Sequence, residues 1–388
     1  MYNTRFTTLL VILAAAGTIA CEDDPAVVTD PDVSSSFAIS TTNATGMGPF
    51  LLEMPRDEGE PSLRGCAQAV NDEGMISGWT VVGVPGQGGS TINALTVWDR
   101  KFKPTLPGWS IPTLEFAVVD MNNRGQVLAL VGDPAFALPD DVLLIDPDGT
   151  VETPVPSYSF GSFLSVYPIR MDRAGNVMVS YLRNDCLSTP YPCTEEVAWI
   201  EVTGRGKLEP SHEDPWGAWD GPAECLGEAM DDNGTVYGQC YIEGNKVHFR
   251  WPSGYGPEVY PPNAIDLVNG GIVDVNRYGE VIGGDDLGAV FWSPSTGRVQ
   301  IPQLPTISLY PIGLNDRGVV LLSGEYWDGT NRPSPRVGYW TRIGGTKVLP
   351  RNGWPHVEVH DINNQGVIVG CVGGDGSKEL VPAYWRVQ

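Results

Sequence analysis

Apolar and polar residues alternate along this chain in short runs, punctuated by one recurring phrase: an apolar residue, Asn or Asp, two variable residues, Gly, any residue, then Val or Ile. The copies begin at Asn71, Asn122, Asp172, Asp231, Asn276, Asn315 and Asn363, and their glycines are Gly74, Gly125, Gly175, Gly234, Gly279, Gly318 and Gly366. Val70, Met121, Met171, Met230, Val275, Leu314 and Ile362 precede the Asx residues. Ile76, Val127, Val177, Val236, Val281, Val320 and Ile368 follow the glycines by two. β-Branched residues leaving a tight turn on both sides predict a half-buried antiparallel pair. The Asx side chain can accept a hydrogen bond from an N–H two residues on, and Gly supplies the positive φ that closes the turn.

A second mark follows each predicted hairpin. A short strand ends in Trp98, Trp199, Trp251, Trp292, Trp340 or Trp385, with Leu144-Ile145 in its place in the second copy. A turn and a further strand follow, often closing on Leu or Ile plus Pro, as at Ile301-Pro302 and Leu349-Pro350. Each unit therefore reads as four antiparallel strands, A to D in chain order, and the turn glycines recur at 39 to 59 residues. That is the length of a β-propeller blade with unequal loops. The last unit stops at strand C, Ala383 to Gln388, whereas Phe50 to Pro55 reads as a strand D with nothing before it. An N-terminal strand completing the last blade leaves no raw sheet edge. The expectation is all-β: a seven-bladed β-propeller over 48–388, with an open β-solenoid as the competing architecture.

The motif combination resembles the extracellular HAF-repeat family, whose copies run Ile-Asn-x-x-Gly-x-Val-x-Gly followed by an Ala-Phe-x-Trp-like strand. The best matches are Val275-Asn276 through Gly283 with Ala289-Val290-Phe291-Trp292, and Val247-His248-Phe249-Arg250-Trp251. The resemblance covers about residues 50–388. It implies a secreted β-repeat protein and carries over no catalytic residue.

The first residues give an address. Arg5 precedes an apolar run from Leu9 to Ala16, too short for a retained span, so 1–20 reads as a signal peptide. Cys21 after Gly17-Thr18-Ile19-Ala20 resembles a bacterial lipobox, with cleavage after Ala20 and no lipid as the alternative. Residues 21–47 are acidic, Ser/Thr-rich and poor in large apolar residues, and read as a tether. The expected address is the outer membrane or cell surface, held by the lipid alone.

Six cysteines remain once Cys21 is set aside, which suits disulfides in an oxidising compartment. Cys225 and Cys240 flank one turn symmetrically and should face each other. Cys186 with Cys193 could close a loop, leaving Cys66 and Cys371 to fasten the ring; other pairings, and a free buried thiol at Cys66, are the alternatives.

With 47 acidic against 24 basic residues the formal charge is −23, which argues against a nucleic-acid partner. Acidic pairs at Asp140-Asp141, Glu195-Glu196 and Asp285-Asp286 leave calcium possible, although none has calcium-loop spacing. No other cofactor is indicated, and a monomer is expected.

Loop topology points to a functional face. A–B and C–D turns are tight, whereas the long segments 80–94, 180–195, 209–224, 325–336 and 350–358 all fall in B–C or D–A connections. The six Trp outside the repeat, Trp79, Trp109, Trp216, Trp219, Trp327 and Trp354, map to that side, where aromatic rings could hold sugars or a protein partner. The alternative is that they pack their own loops. Catalytic candidates are few. His356, Glu358 and His360 alternate on one strand and could bind a metal or move a proton. The positions equivalent to His360 in other units, Val119, Ile169, Val273 and Ile312, suggest a packed interface instead. Ser211-His212-Glu213-Asp214 reads as a solvated loop, and no Gly-x-Ser-x-Gly or phosphate loop occurs. The expected function is non-enzymatic binding of a glycan or envelope polymer. A polysaccharide lyase or glycoside hydrolase is one alternative, and a scaffold for an envelope protein is another.

Overall fold

The computed structural model describes residues 47–387 except 58–59, 62–63, 84–90, 108–114, 133–138, 155–163, 185–195, 204–205, 209–223, 243–244, 254–257, 260–270, 286, 305–306, 327–333 and 375–378. Residues 46–388 form one compact unit. It is a β-propeller of four-stranded antiparallel sheets, and in all of these but one the strand order follows the chain.

Six sheets are built from consecutive strands. Their inner strands, A, are Gly65–Val70, Glu115–Met121, Leu164–Met171, Glu224–Met230, Ile272–Val275 and Ile307–Leu314. A further, composite sheet takes His356–Ile362, Val367–Gly373 and Leu380–Arg386 from the C-terminal end and its outer strand, Phe50–Leu51, from the N-terminal end. Phe50 pairs with Tyr384 and Leu51 with Ala383, extended by the Arg386 N–H to the Met47 carbonyl and the Leu52 N–H to the Pro382 carbonyl. The unpaired strand D at one end and the missing strand D at the other thus meet, as the repeat pattern requires.

The turns form as their chemistry dictates. Each of the seven turn glycines has φ between 70° and 87°. At Asn122, Asp172, Asp231, Asn276, Asn315 and Asn363 the Asx Oδ1 accepts from the N–H groups two and four residues on. The strand Trp residues pack between sheets: Trp98, Trp251, Trp292, Trp340 and Trp385 are buried. Trp385 Nε1 donates to the Pro350 carbonyl at 3.1 Å, and Trp98 Nε1 to the Glu53 carbonyl at 2.7 Å. In both cases the acceptor is the residue after a buried Leu at the end of strand D, and Leu52, Ile301 and Leu349 at these strand ends are buried. Leu144 and Ile145 are buried where the second copy lacks its Trp.

Two segments read as long loops are shorter. Strands Ile76–Gly83 and Thr91–Trp98 consume most of 80–94, because Val81, Val82 and Ala94 find core positions. In 350–358, a turn closed by the Trp354 N–H on the Arg351 carbonyl leads directly into the strand starting at His356.

Every inner strand carries a β-bulge near its turn end, at Gln68, Val119, Ile169, Glu228, Val273, Ile312 and His360. A bulge twists the strand and re-aims the following side chain. In some sheets the second glycine of the repeat lies against it, whereas Ala129, Val179 and Leu322 hold the same position opposite the bulges at Val119, Ile169 and Ile312. A Cβ on Gly78 would lie 2.0 Å from the Cys66 carbonyl oxygen, and one on Gly370 2.0 Å from that of Glu358.

Candidate functional site

The bulges and turns together line the ring axis at its turn-side mouth. A cavity of about 110 Å³ there is bounded by residues from all seven inner strands, among them Val70, Met121, Met171, Met230, Val275, Leu314 and Ile362. Around it the Asx residues, all buried, do more than cap turns. Asn71 Nδ2 donates to the Asn122 carbonyl at 2.9 Å, Asn276 to that of Asn315 at 3.2 Å, Asn315 to that of Asn363 at 2.9 Å, and Asn363 to that of Asn71 at 2.9 Å. Each bond crosses to the next sheet, the last from the composite sheet to the first, whereas Asn122 Nδ2 donates to Gln126 Oε1 in its own turn.

Beneath this ring, side chains aimed by the bulges accept backbone N–H groups across the seams. Gln68 accepts from Val118, Asp120 from Met171, Glu228 from Ile272, Asp274 from Leu314 and Asp361 from Val70. Where the residue after the bulge is Ala69 or Ala229, the bulge residue itself supplies the acceptor. Arg170 reaches across the mouth to Asp274 at 2.9 Å. Burial raises Asp274 despite this partner, and raises Asp361 to about 6. An outer tier follows: Arg173 contacts Asp232 at 2.9 Å and Asp72 at 3.4 Å, Arg277 contacts Asp316 at 3.1 Å, and Asn364 Nδ2 bridges Asp72 and Asp316. Burial raises Asp232 to about 6. Every carboxylate lining this mouth is engaged by an N–H or a guanidinium. The arrangement clamps the ring.

A different cluster sits on the seam between the first and composite sheets. Along strand His356–Ile362, Val357 and Val359 face the hydrophobic core shared with the preceding sheet. His356, Glu358 and His360 therefore take the other face, toward Cys66 of strand Gly65–Val70. His356 Nε2 and Glu358 Oε1 are 2.7 Å apart, and His360 Nε2 lies 3.7 Å from Glu358 Oε2. The three side chains are 22%, 39% and 33% exposed, so the column is neither fully open nor sealed. The hydrogen bond to Glu358 raises His356, whereas burial lowers His360. Burial pushes Glu358 up, but the His356 hydrogen bond and the His360 charge outweigh it, leaving the carboxyl below its usual range.

The predicted ring fastener lies against this column: Cys66 and Cys371 form a disulfide with Cα atoms 5.0 Å apart, joining residues separated by 305 in sequence. His360 Nε2 is 3.4 Å from Cys66 Sγ and 4.0 Å from Cys371 Sγ, and Glu358 Oε2 is 3.7 Å from Cys371 Sγ. Among the described residues this is the cluster with metal-ligating geometry, its four donor atoms lying within 4.8 Å of one another.

Of the remaining sequence candidates, Cys240 is disulfide-bonded and stands in register with Cys225. Trp79 and Trp354 are half-buried and pack against hydrophobic clusters of the first two sheets and of the last two, respectively. Trp109, Trp216, Trp219, Trp327, Cys186, Cys193 and the signal with Cys21 lie outside the described residues. Asp285 is paired with Arg298. The clamp residues Asp120, Arg170 and Asp274 escaped the sequence reading, and Asp361 stood in it only as the neighbour of the His356–Glu358–His360 column. Their signal was the position just before each apolar-Asx pair, which reads Ala, Asp, Arg, Ala, Asp, Gly, Asp across the copies.

No protein-family model matches the chain. No curated protein matches it either. Among solved structures, the β-propeller domain of the Trilobed protease from Pyrococcus furiosus is similar at 9% identity, covering 84% of this chain and 95% of that one, with a TM-score of 0.50. That domain has an open velcro topology, whereas here Phe50–Leu51 pairs with the C-terminal strand. Virginiamycin B lyase from Staphylococcus aureus is similar at 13% identity over 83% of this chain and 95% of its own, with a TM-score of 0.45. Aleuria aurantia lectin is similar at 11% identity over 75% and 98%, with a TM-score of 0.35. At these identities the likeness is one of fold alone.

Proposed function

We propose that the chain is an exported, lipid-anchored propeller of seven blades, the composite sheet being the seventh, that binds a glycan or cell-envelope polymer without transforming it. The observation that carries this reading is the asymmetry between the two ends of the ring. At the turn-side mouth the charged groups are consumed by bonds between sheets, which leaves that end a clamp. The opposite end receives the connections between strands B and C and between D and A. Residues 108–114, 209–223 and 327–333 are such connections, and they contain Trp109, Trp216, Trp219 and Trp327. Aromatic rings on a rigid scaffold suit the apolar faces of sugar rings, and a strongly acidic surface favours neutral or cationic ligands. The test is a glycan-array and polysaccharide pull-down screen of the full chain, run alongside an assay for new reducing or unsaturated ends. Binding without new ends supports the proposal; new ends would replace it with an enzyme.

The His356–Glu358–His360 column favours the enzymatic second reading, a lyase or glycoside hydrolase, because it sets a carboxylate between two imidazoles, 2.7 Å and 3.7 Å away, in a half-open position. On that reading His360→Gln abolishes product formation, and on the binding reading it leaves ligand affinity unchanged.

A further inference from the structure

The seam cluster has a second chemical state. A four-coordinate zinc-class ion holds thiolate sulfur at about 2.3 Å and imidazole nitrogen or carboxylate oxygen at about 2.0–2.2 Å, which places ligand atoms about 3.3–3.8 Å from one another along the edges of the tetrahedron. The observed edges are 3.4 Å for Cys66–His360, 3.7 Å for Cys371–Glu358, 4.0 Å for Cys371–His360 and 3.7 Å for Glu358–His360, while Cys66–Glu358 lies within 4.8 Å. The sixth edge is the disulfide itself. Two rigid inner strands present three of these donors, and the bulge at His360, licensed by Gly370, turns the imidazole toward the sulfurs. His356 holds the carboxylate from behind at 2.7 Å, the outer-shell contact that orients a metal-ligating group.

We propose that Cys66, Cys371, His360 and Glu358 bind one divalent zinc-class ion when the disulfide is reduced, so that the ring seam is clamped either by a covalent bond or by a metal. The inference is independent of what the propeller binds on its outer face. A dithiol reductant supplies the two electrons. Its thiols close to a disulfide as the Cys66–Cys371 bond opens to two thiols. The ion then displaces the two thiol protons to give two thiolate bonds, with His360 nitrogen and Glu358 oxygen completing the set. A newly exported chain, whose cysteines are still thiols, meets the same choice.

The experiment uses the full chain, reduced without oxygen and titrated with Co²⁺, whose thiolate charge-transfer and tetrahedral bands report sulfur ligation. One ion per chain with these bands is expected, absent in the oxidised protein. Cys66→Ser and Cys371→Ser should each lose the bands, whereas Cys240→Ala should keep them. His356→Gln should weaken binding about 10–100-fold while leaving the bands in place, since it acts on a ligand from behind. His360→Gln keeps both cysteines, so it can be folded oxidised and then reduced. It should lower affinity and shift the bands. Reduced wild type that takes up no Co²⁺, or bands unchanged in folded Cys66→Ser or His360→Gln, would overturn the proposal.

Discussion

At the scale of single residues, the same few side chains perform two tasks, one inside their own turn and one across a seam. Asn can cap its hairpin through Oδ1 and reach the next sheet through Nδ2; Asp can do only the first, as at Asp172 and Asp231. The first task is legible in sequence, because the acceptor and the N–H groups lie within four residues. The second is not, because it depends on which carbonyl the ring brings across. The bulge acceptors show the same limit. Glu228 is pushed up to about 7 by burial, offset only in part by the Ile272 N–H and the charge of Lys246, and its Oε1 lacks a partner. Between its ordinary 4.5 and about 7 the folded protein holds a proton that the unfolded chain has lost. Stability is therefore greatest below the lower value and falls as pH rises through the upper one. The loss above it is roughly 3 kcal/mol at most. Gln68 performs the same task in the first sheet without a charge. Glu228→Gln should therefore gain roughly 1–2 kcal/mol near pH 8, less than the full amount because an amide N–H replaces the unpartnered oxygen. It should gain nothing near pH 4, and Asp232, also raised, should leave a residual slope. Denaturant melts across pH check this; parallel curves for the two proteins would remove Glu228 as the titrating group.

At the scale of elements, the turns, the Trp-bearing strand C and the short strand D were all readable, since each obeys local rules of alternation and turn chemistry. The bulge was not. Its local trace, in the copies that carry it, is the second glycine of the repeat, which reads as turn punctuation until the Glu358 carbonyl is seen 2.0 Å from where a Cβ on Gly370 would lie. Strand ends beside long connections were misjudged because β-branched residues such as Val81 and Val82 continue a strand as far as the core extends. Asn315 separates the two roles of the turn residue. Asn315→Asp keeps the caps on Arg317 and Val319, both at 3.0 Å, but sets a carboxylate oxygen against the Asn363 carbonyl. It should cost roughly 1–3 kcal/mol. Asn315→Ala loses the caps and the seam bond, leaving the Asn363 carbonyl with the Gly366 N–H alone, and should cost about 1 kcal/mol more. Urea unfolding of the two variants is the check, and equal losses would mean that the caps contribute nothing.

At the scale of the molecule, ring closure was legible because the repeat ends one strand short and begins with one strand spare. Cysteine count extended that to the Cys66–Cys371 bond. A cross-link spanning 305 residues constrains the unfolded chain strongly, so Cys66→Ser with Cys371→Ser, in metal-free buffer, should cost about 2–5 kcal/mol. Unchanged denaturation midpoints would show that the inter-sheet bonds alone hold the seam. Cys21→Ser should release the protein from membranes with the propeller still folded; unchanged fractionation would remove the lipid anchor. Ligand identity was not legible, because repeat periodicity specifies the scaffold alone, and the proposed binding face is assigned to the unequal connections that break the period.

Affinity for the polysaccharide captured in the screen, measured by calorimetry for Trp216→Ala, Trp219→Ala and Trp292→Ala, tests the binding-face account most directly. Trp216→Ala and Trp219→Ala should each weaken binding by about 1–3 kcal/mol with little change in melting. Trp292, buried between sheets, should instead cost roughly 3–5 kcal/mol of stability. A Trp216→Ala, Trp219→Ala double variant that unfolds like Trp292→Ala, yet binds normally where folded, would contradict the aromatic binding face.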